Sequence, residues 1–161
     1  MPTRIALAAT LVVLAAGLLT SLAAANEVTR ESYRQAVEPI CKRNTEANER
    51  ILGRVRSEVR TGKLKPAAAQ FIKAAVELKK TIAQLRGVPR PPADTARLSR
   101  WLGKVSLEAG LLEAAGAKLR AGEKAEAQRM VVKLTGNANR ANAIVIPFEF
   151  EYCRFEPSRF T

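Results

Sequence analysis

Histidine is absent from this chain of 161 residues, and aromatic residues make up only 5% of it. Without histidine there is no imidazole general base, no Ser–His or Cys–His nucleophile, and no histidine ligand for haem, zinc or copper. The Glu-x-x-His pairs of di-iron bundles and the Cys-x-x-Cys-His sequence that attaches haem are missing as well. Neighbouring glutamates such as Glu46 and Glu49 are ordinary on a helix surface. We therefore predict no catalytic residues, no enzyme activity, and no metal, haem or other cofactor.

Cysteine occurs only twice, at Cys41 and Cys153, which lie 112 residues apart. Two cysteines in an exported protein favour one disulfide bond. Closing a loop of that length would stabilise the fold by roughly 4 kcal/mol on the chain-entropy description. The alternative is a pair of buried free thiols.

The N-terminus has the pattern of a secretory signal peptide. Arg4 supplies a positive charge, residues 5–19 form an apolar run, and an Ala-x-Ala sequence ends at Ala25. This pattern predicts export with cleavage after Ala25, which leaves residues 26–161 as a single domain outside the cytoplasm. The competing interpretation is an uncleaved membrane anchor, since residues 5–25 match the roughly 20 residues that span a bilayer core.

The chain is strongly basic, with 27 Lys and Arg against 15 Asp and Glu. Removal of residues 1–25 takes away only Arg4, so a formal net charge of +11 remains. A basic exported protein is expected to meet anionic lipid head groups or envelope polymers. The alternative is that these charges merely solvate helix faces, because they are spread along the chain. Nucleic acid is not expected as a partner, since no aromatic residues are interleaved with the basic ones to stack on bases.

Proline and glycine divide the exported part into helices. A leading helix over residues 27–37 is expected to end before Pro39, which begins a second helix that reaches about Arg60. Pro66 is placed in the first turn of the next helix, and Asp94 is a suitable N-cap for the one after it. Apolar residues in these later helices step alternately by four and three positions, as in the series Phe71, Ala75, Leu78, Ile82 and Leu85.

Similar glycine turns at Gly62 and Gly122 suggest an internal repeat of about sixty residues. We predict helical hairpins at 39–86 and 94–146, joined by a stiff proline-rich connector at 87–93. The resulting fold is all-α, an up-down-up-down four-helix bundle. Single glycines inside the helices are expected to mark close packing contacts. They are Gly53, Gly103, Gly110 and Gly116.

The tail, residues 147–161, holds most of the aromatic residues of the chain. Phe148, Phe150 and Tyr152 alternate with glutamates, which predicts an extended segment with one apolar face on the base of the bundle. Cys153 would tie this segment to Cys41, because both lie near the same end of the bundle.

Asparagine is a poor helix former, yet several asparagines fall near that end of the bundle. One hypothesis is a buried amide network that fixes helix register. The other is a polar pocket beneath the tail for a small polar or anionic ligand, with Arg140 or Arg43 beside it. Its candidate residues are Asn44, Asn48, Asn137, Asn139, Asn142 and Arg140.

The composition favours an exported, non-enzymatic binding or structural component of the cell envelope that faces anionic material. The alternative is a chaperone-like or inhibitor-like module that binds protein clients on apolar surface near the leading helix and the tail. Both are expectations about a class of protein, since architecture alone does not specify function.

Overall fold

A computed structural model describes residues 27–157, and the predicted all-helical class is confirmed. The signal sequence 1–25 and Phe160 lie outside the described residues. The helices are α1 (Arg30–Leu52), α2 (Val55–Arg60), α3 (Leu64–Arg86), α4 (Thr95–Arg120) and α5 (Lys124–Ile144). Short 3-10 turns occur at Pro92–Asp94 and Ile146–Phe148.

Helix α3 lies in the middle of the packing order. It packs against α1 on one side and α4 on the other, and α4 in turn packs against α5. The C-terminal segment, residues 145–157, contacts both α1 and α5. The core between these elements is mostly aliphatic and alanine-rich, and it also buries several aromatic side chains, among them Trp101. Alanine at these positions lets neighbouring helices approach closely.

The leading helix and the second helix are one element, so the predicted interruption at Pro39 is wrong. Pro39 lies inside α1 and is exposed. An internal proline removes one backbone hydrogen bond and costs about 3 kcal/mol. The cost is offset by burial of Tyr33 and Val37 before it and of the disulfide-bonded Cys41 after it. Tertiary packing therefore overrides the local preference.

The helix predicted to reach Arg60 is itself broken. Helix α1 ends at Leu52, and α2 begins at Val55 after Gly53 and Arg54. Glycine in a helix costs about 1 kcal/mol relative to alanine, which weakens the helix at this point. Val55 is buried on the far side of the break, where α2 packs against α3.

The two glycine turns have the same conformation. Gly62 and Gly122 have φ angles of 77° and 80°, in the left-handed region that glycine adopts without strain. The hydrogen bonds also correspond, since the amide after each glycine donates to a carbonyl five residues earlier. Each turn connects two helices through three residues, 61–63 or 121–123.

Of the four glycines predicted to mark close packing contacts, only Gly116 makes a contact with another helix. A Cβ on Gly116 would lie 2.8 Å from Ile72 Cγ1 and 3.0 Å from the Ala68 carbonyl oxygen, both on α3. Gly103 and Gly110 are exposed, with nothing within 4 Å of such a Cβ. A Cβ on Gly53 would meet only a carbonyl of its own helix. Gly116 thus sets the approach of α3 to α4.

The disulfide between Cys41 and Cys153 is confirmed, with the two Cα atoms 5.0 Å apart. The segment that carries Cys153 is not extended, as the alternating pattern predicted. It begins with the turn Ile146–Phe148 and then bends at Glu149, whose φ of 51° is left-handed. Backbone at this angle cannot continue a strand.

Aromatic side chains of the C-terminal segment enter the core between α1 and α4. The Phe150 ring centroid lies 6.4 Å from that of Tyr33 on α1 and 5.6 Å from that of Trp101 on α4. Phe148 stacks on Phe150 at 5.3 Å. Both phenylalanines are buried, whereas Tyr152 is half-buried. The segment is therefore part of the core.

Asp94 directly precedes α4, but its side chain does not cap that helix. Its carboxylate instead accepts hydrogen bonds from Arg30 Nε at 2.6 Å and Nη2 at 3.0 Å. These bonds hold the pKa of Asp94 below its usual value. The pair joins the start of α1 to the start of α4.

Two features bear on the compartment of the protein. The Cys41–Cys153 disulfide indicates an oxidising, extracytoplasmic environment. Over residues 27–157, no helix is both long enough and apolar enough to cross a membrane.

Candidate functional site

The asparagines that the sequence groups together fall in different environments. Asn44 and Asn48, one turn apart, are buried on α1. Asn137 is fully enclosed in the core, where its Nδ2 donates to the Lys104 carbonyl at 2.8 Å and to Glu108 Oε1 at 3.2 Å. Only the two α1 asparagines face the C-terminal segment across a groove.

The other predicted pocket residues do not line this groove. Asn139 and Arg140 are exposed on α5, and Arg43 is exposed on α1. Asn142 has a structural contact, because its side chain exchanges two hydrogen bonds of 2.9 Å with the backbone of Phe155. The six residues grouped by the sequence therefore have different structural positions: some line the groove, one anchors the C-terminal segment, and others lie on the surface.

The polar groove, as we call it, lies between α1 and the C-terminal segment and has a volume of about 290 Å³. Small-molecule sites occupy about 300–1,000 Å³, so the groove is at the lower end of that range. Its lining residues are Asn44, Thr45, Asn48, Glu151, Tyr152, Arg154, Phe155 and Glu156. The lining combines amide, hydroxyl and charged groups with two aromatic rings.

Two buried acceptors on α1 have no hydrogen-bond partner. Asn44 is 4% exposed and Asn48 is 8% exposed, and the Oδ1 atom of each is buried and unbonded. A buried polar atom left without a partner costs about 1–3 kcal/mol. Both residues line the polar groove, but their buried Oδ1 atoms are not accessible from it.

The wall of the groove opposite α1 is held in place by several bonds. Glu38 accepts hydrogen bonds from the backbone amides of Glu151 at 2.7 Å and Tyr152 at 2.8 Å. The disulfide at Cys153 and the Asn142–Phe155 pair fix the residues that follow. Lys42 on α1 also places its ammonium group 5.3 Å from the Tyr152 ring centroid.

A small inner cavity of about 50 Å³ adjoins the groove at Asn48. Glu108 and Leu134 line it from α4 and α5, and Phe155 lines it from the C-terminal segment. Burial raises the pKa of Glu108 to about 8, although the hydrogen bond from Asn137 opposes this shift. Sequence reasoning missed Glu108, yet it lies three residues after Val105 on the buried face of α4.

A second groove, the basic groove, lies near the two glycine turns and has a volume of about 230 Å³. Its apolar floor consists of Val55, Val59, Phe71, Leu119, Ala127 and Val131. Arg56, Arg60, Lys124 and Gln128 complete the lining. The sequence feature that could have indicated this groove is the pair Arg56 and Arg60. The two lie one helical turn apart and follow Gly53, a residue of low helix propensity.

Carboxylates near the basic groove are engaged elsewhere. Glu123 accepts a hydrogen bond from Lys118 Nζ at 2.6 Å, and Glu58 accepts one from Gln70 Nε2 at 2.7 Å. Within residues 27–157, the side chains of Arg60 and Lys124 form no ion pair. Their charge is therefore available to an anion.

The described residues contain no group of three or more cysteine, aspartate or glutamate side chains placed to hold a metal ion. Comparisons with protein-family models, curated proteins and solved structures find no match to this chain.

Proposed function

We propose that this protein is an exported, non-enzymatic helical bundle of the cell envelope that binds anionic lipid in the basic groove. The observation that carries the proposal is an apolar floor edged by Arg60 and Lys124, which form no ion pair with any other residue of 27–157. A lipid with a negatively charged head group matches both parts, because its acyl chain is apolar and its head group is anionic. A soluble anionic polymer would match only the rim.

The N-terminal end of α5 adds to the positive potential at this groove. Lys124 is the first residue of α5, where the helix dipole favours an anion. Arg60, across the groove, is the last residue of α2. The excess of basic residues over the whole chain would also attract the protein to an anionic membrane surface before the groove is filled.

Export supports this location for the ligand. The Cys41–Cys153 disulfide agrees with an extracytoplasmic protein, and we propose that residues 1–25 are a signal peptide removed near Ala25. Intact mass of the exported protein without reductant tests both points. A mass that retains residues 1–25 would support the membrane-anchor alternative, and two alkylatable thiols would contradict the disulfide.

We further infer the up-down-up-down arrangement of the bundle. Three-residue turns at 61–63 and 121–123 favour antiparallel neighbours, and the packing order runs from α1 to α3, α4 and α5. In this arrangement both glycine turns lie at one end of the bundle, which brings α2 and the start of α5 to the same groove.

The client-binding alternative requires apolar surface near the leading helix and the tail. Tyr33, Val37, Phe148 and Phe150 are all buried there, because they pack against one another and the core. Ile146 is 69% exposed, but a single exposed apolar side chain is ordinary on a protein surface. The alternative therefore has less structural support than lipid binding.

Vesicle sedimentation tests the proposal. The oxidised protein should bind vesicles that contain phosphatidylglycerol more tightly than vesicles of phosphatidylcholine alone. Binding should weaken as ionic strength rises from about 0.01 M to about 0.1 M, since the Debye length falls from about 30 Å to about 10 Å. Equal binding to both vesicles, or binding unaffected by salt, would contradict an anionic lipid.

Matched variants locate the site. Arg60→Gln with Lys124→Gln should weaken partitioning roughly 30-fold, from about 1 kcal/mol for each cation near an anionic surface. Lys133→Gln with Arg140→Gln removes the same charge from exposed positions of α5 that do not line the groove. Equal losses in the two double variants would mean that binding depends on diffuse charge and not on the groove.

A further inference from the structure

We propose that the basic groove takes up a single acyl chain, so that its ligand is a monoacyl anion, either a fatty acid or a phospholipid with one chain. The proposal rests on the proposed function, the binding of anionic lipid in this groove, and narrows that lipid to one structural class. It is carried by the volume of the groove, the depth of its apolar floor and the position of two cations at its rim.

The groove has room for one short acyl chain and not for two. Its volume is about 230 Å³. A methylene group takes up roughly the 30 Å³ that a water molecule occupies in the liquid, so about eight methylenes fill this space. Each of the two chains of a membrane phospholipid is longer than that, and the second chain would have no apolar surface to contact. The volume therefore favours a ligand with one chain.

The apolar floor of the groove is recessed. Val55 and Phe71 are each 3% exposed, and Leu119 is 2% exposed. A protein that docks on a bilayer through apolar contacts inserts side chains that project from its surface, so this floor is reached only by a chain that leaves the bilayer. One chain holds a molecule in a membrane only reversibly, whereas two chains anchor it stably. A monoacyl lipid is therefore the kind that can enter the groove.

Arg60 and Lys124 place positive charge at the rim. Both are exposed, and neither forms an ion pair with another residue of 27–157. Such side chains lay their aliphatic stems along apolar surface and keep the charge in water, where it meets the head group of the ligand. A guanidinium binds a carboxylate or a phosphate through two parallel hydrogen bonds, so both kinds of head group suit Arg60. Gln128, one turn after Lys124, adds an amide to the lining.

The walls of the groove are already held in place. Gln70 donates a hydrogen bond of 2.7 Å to Glu58, which ties α2 to α3. The close contact at Gly116 sets the approach of α3 to α4. The backbone amide of Glu123 donates to the Lys118 carbonyl at 2.9 Å across the turn that leads into α5. Because its walls are fixed, the groove has a fixed length, and affinity should stop rising once a chain exceeds that length.

Isothermal titration calorimetry of the oxidised protein with fatty acids of six to fourteen carbons, each kept below its micelle concentration, tests this limit. Affinity should rise up to about fourfold for each added methylene, the factor for full burial. It should level off near ten carbons, since about eight methylenes fill the groove. A rise that continues to fourteen carbons would indicate simple partitioning onto apolar surface and would overturn the proposal, as would affinity independent of chain length.

Two further pairs of probes define the ligand. Dioctanoylphosphatidylglycerol and its mono-octanoyl counterpart share a head group, and we expect their affinities to agree within about twofold; a diacyl lipid bound more than tenfold tighter would overturn the single chain. Decanoate and decyl phosphate distinguish a fatty acid from a phospholipid as the source, and the tighter binder identifies it. Vesicle binding that depends on Arg60 and Lys124 without binding of any soluble monoacyl anion would leave the proposed function standing and this proposal wrong.

A variant that fills the groove separates chain uptake from attraction by charge. Ala127→Leu adds three carbons to the floor and keeps Arg60 and Lys124, so decanoate binding should weaken at least tenfold. Ala125→Leu, at an exposed position of α5 outside the lining, should leave it unchanged. Undiminished binding to folded Ala127→Leu would overturn the proposal. If that variant does not fold, Val59→Phe fills the groove from a half-buried position on α2, with the same loss expected and the same result counting against the proposal.

Discussion

Asn142 and Phe155 exchange two hydrogen bonds, each 2.9 Å long. The side-chain amide of Asn142 donates to the Phe155 carbonyl and accepts from the Phe155 backbone amide. An asparagine side chain thus pairs with the backbone as a neighbouring strand would. This pair closes the C-terminal segment over the inner cavity, because Phe155 lines both that cavity and the polar groove.

Replacement of this asparagine should loosen the end of the segment without unfolding the bundle. Asn142→Ala leaves the half-buried amide and carbonyl of Phe155 without partners, at a cost of about 1 kcal/mol. We expect a lower melting temperature and faster hydrogen exchange at the Phe155 amide. Asn139→Ala on the same helix is the control and should leave that exchange rate unchanged. Unaltered protection of Phe155 in Asn142→Ala would show that other contacts hold the segment.

The approach of α3 to α4 depends on Gly116. In Gly116→Ala the new methyl group would lie 3.0 Å from the Ala68 carbonyl oxygen, which belongs to the backbone and cannot move away cheaply. We expect a loss of about 1–3 kcal/mol, typical of overpacking in a close-packed core. Gly110→Ala is the control on the same helix, because no atom beyond its chain neighbours and the adjacent helix backbone lies within 4 Å of the added carbon. It should gain up to about 1 kcal/mol from helix propensity.

Chemical denaturation of both glycine variants measures this difference directly. The two substitutions add the same atoms to the same helix, so opposite signs isolate the interhelical contact. A Gly116→Ala variant as stable as Gly110→Ala would mean that α3 and α4 can separate slightly without loss.

Predictions from the sequence succeeded where the pattern was local and strongly periodic. The all-helical class followed from the apolar spacing, and the disulfide followed from the presence of two cysteines in a chain predicted to be exported. The prediction of a helix break at Pro39 was wrong, because burial of the flanking residues can offset the cost of an internal proline. Tyr33, Val37 and Cys41 bury enough surface to keep α1 continuous.

The candidate sites were only partly predictable, for a related reason. The spacing of Asn44 and Asn48 placed both on one helix face, and the structure buries both. The position of Asn142 in the sequence does not reveal whether its side chain hydrogen-bonds to the backbone of the C-terminal segment or lines a pocket. The basic groove was not predicted from the sequence, because it depends on the break between α1 and α2 after Leu52. A single glycine at position 53 is not sufficient to predict a helix break.

Loss of the disulfide should lower the stability of the protein but leave its fold intact. Cys41→Ala with Cys153→Ala opens a loop of 112 residues, which costs about 4–5 kcal/mol on the chain-entropy description. Phe148 and Phe150 should still dock between α1 and α4, so the near-ultraviolet circular dichroism of the aromatic cluster should persist at low temperature. Loss of that signal in the folded variant would mean that the disulfide is required to hold the segment in the core.

Glu108 should make the protein less stable as pH rises through neutrality. Burial raises its pKa to about 8 from an ordinary value of 4.5, so the folded state keeps the proton between these pH values whereas the unfolded state releases it. The free energy of unfolding therefore falls with rising pH in this window, by up to about 1.4 kcal/mol per pH unit. Asp94 acts in the opposite direction at acid pH, because Arg30 lowers its pKa and the stabilisation is lost as pH falls.

Glu108→Gln removes the titrating group while keeping an acceptor for the Asn137 amide. We expect the variant to match the parent near pH 4.5 and to be more stable above pH 8, with a flatter profile of unfolding free energy between them. Glu46→Gln, an exposed substitution on α1, should reproduce the parent profile. Urea denaturation at a series of pH values measures all three proteins. A parent whose stability rises from pH 5 to pH 8 would contradict a protonated Glu108 in the core, because ionisation would then be favoured by folding.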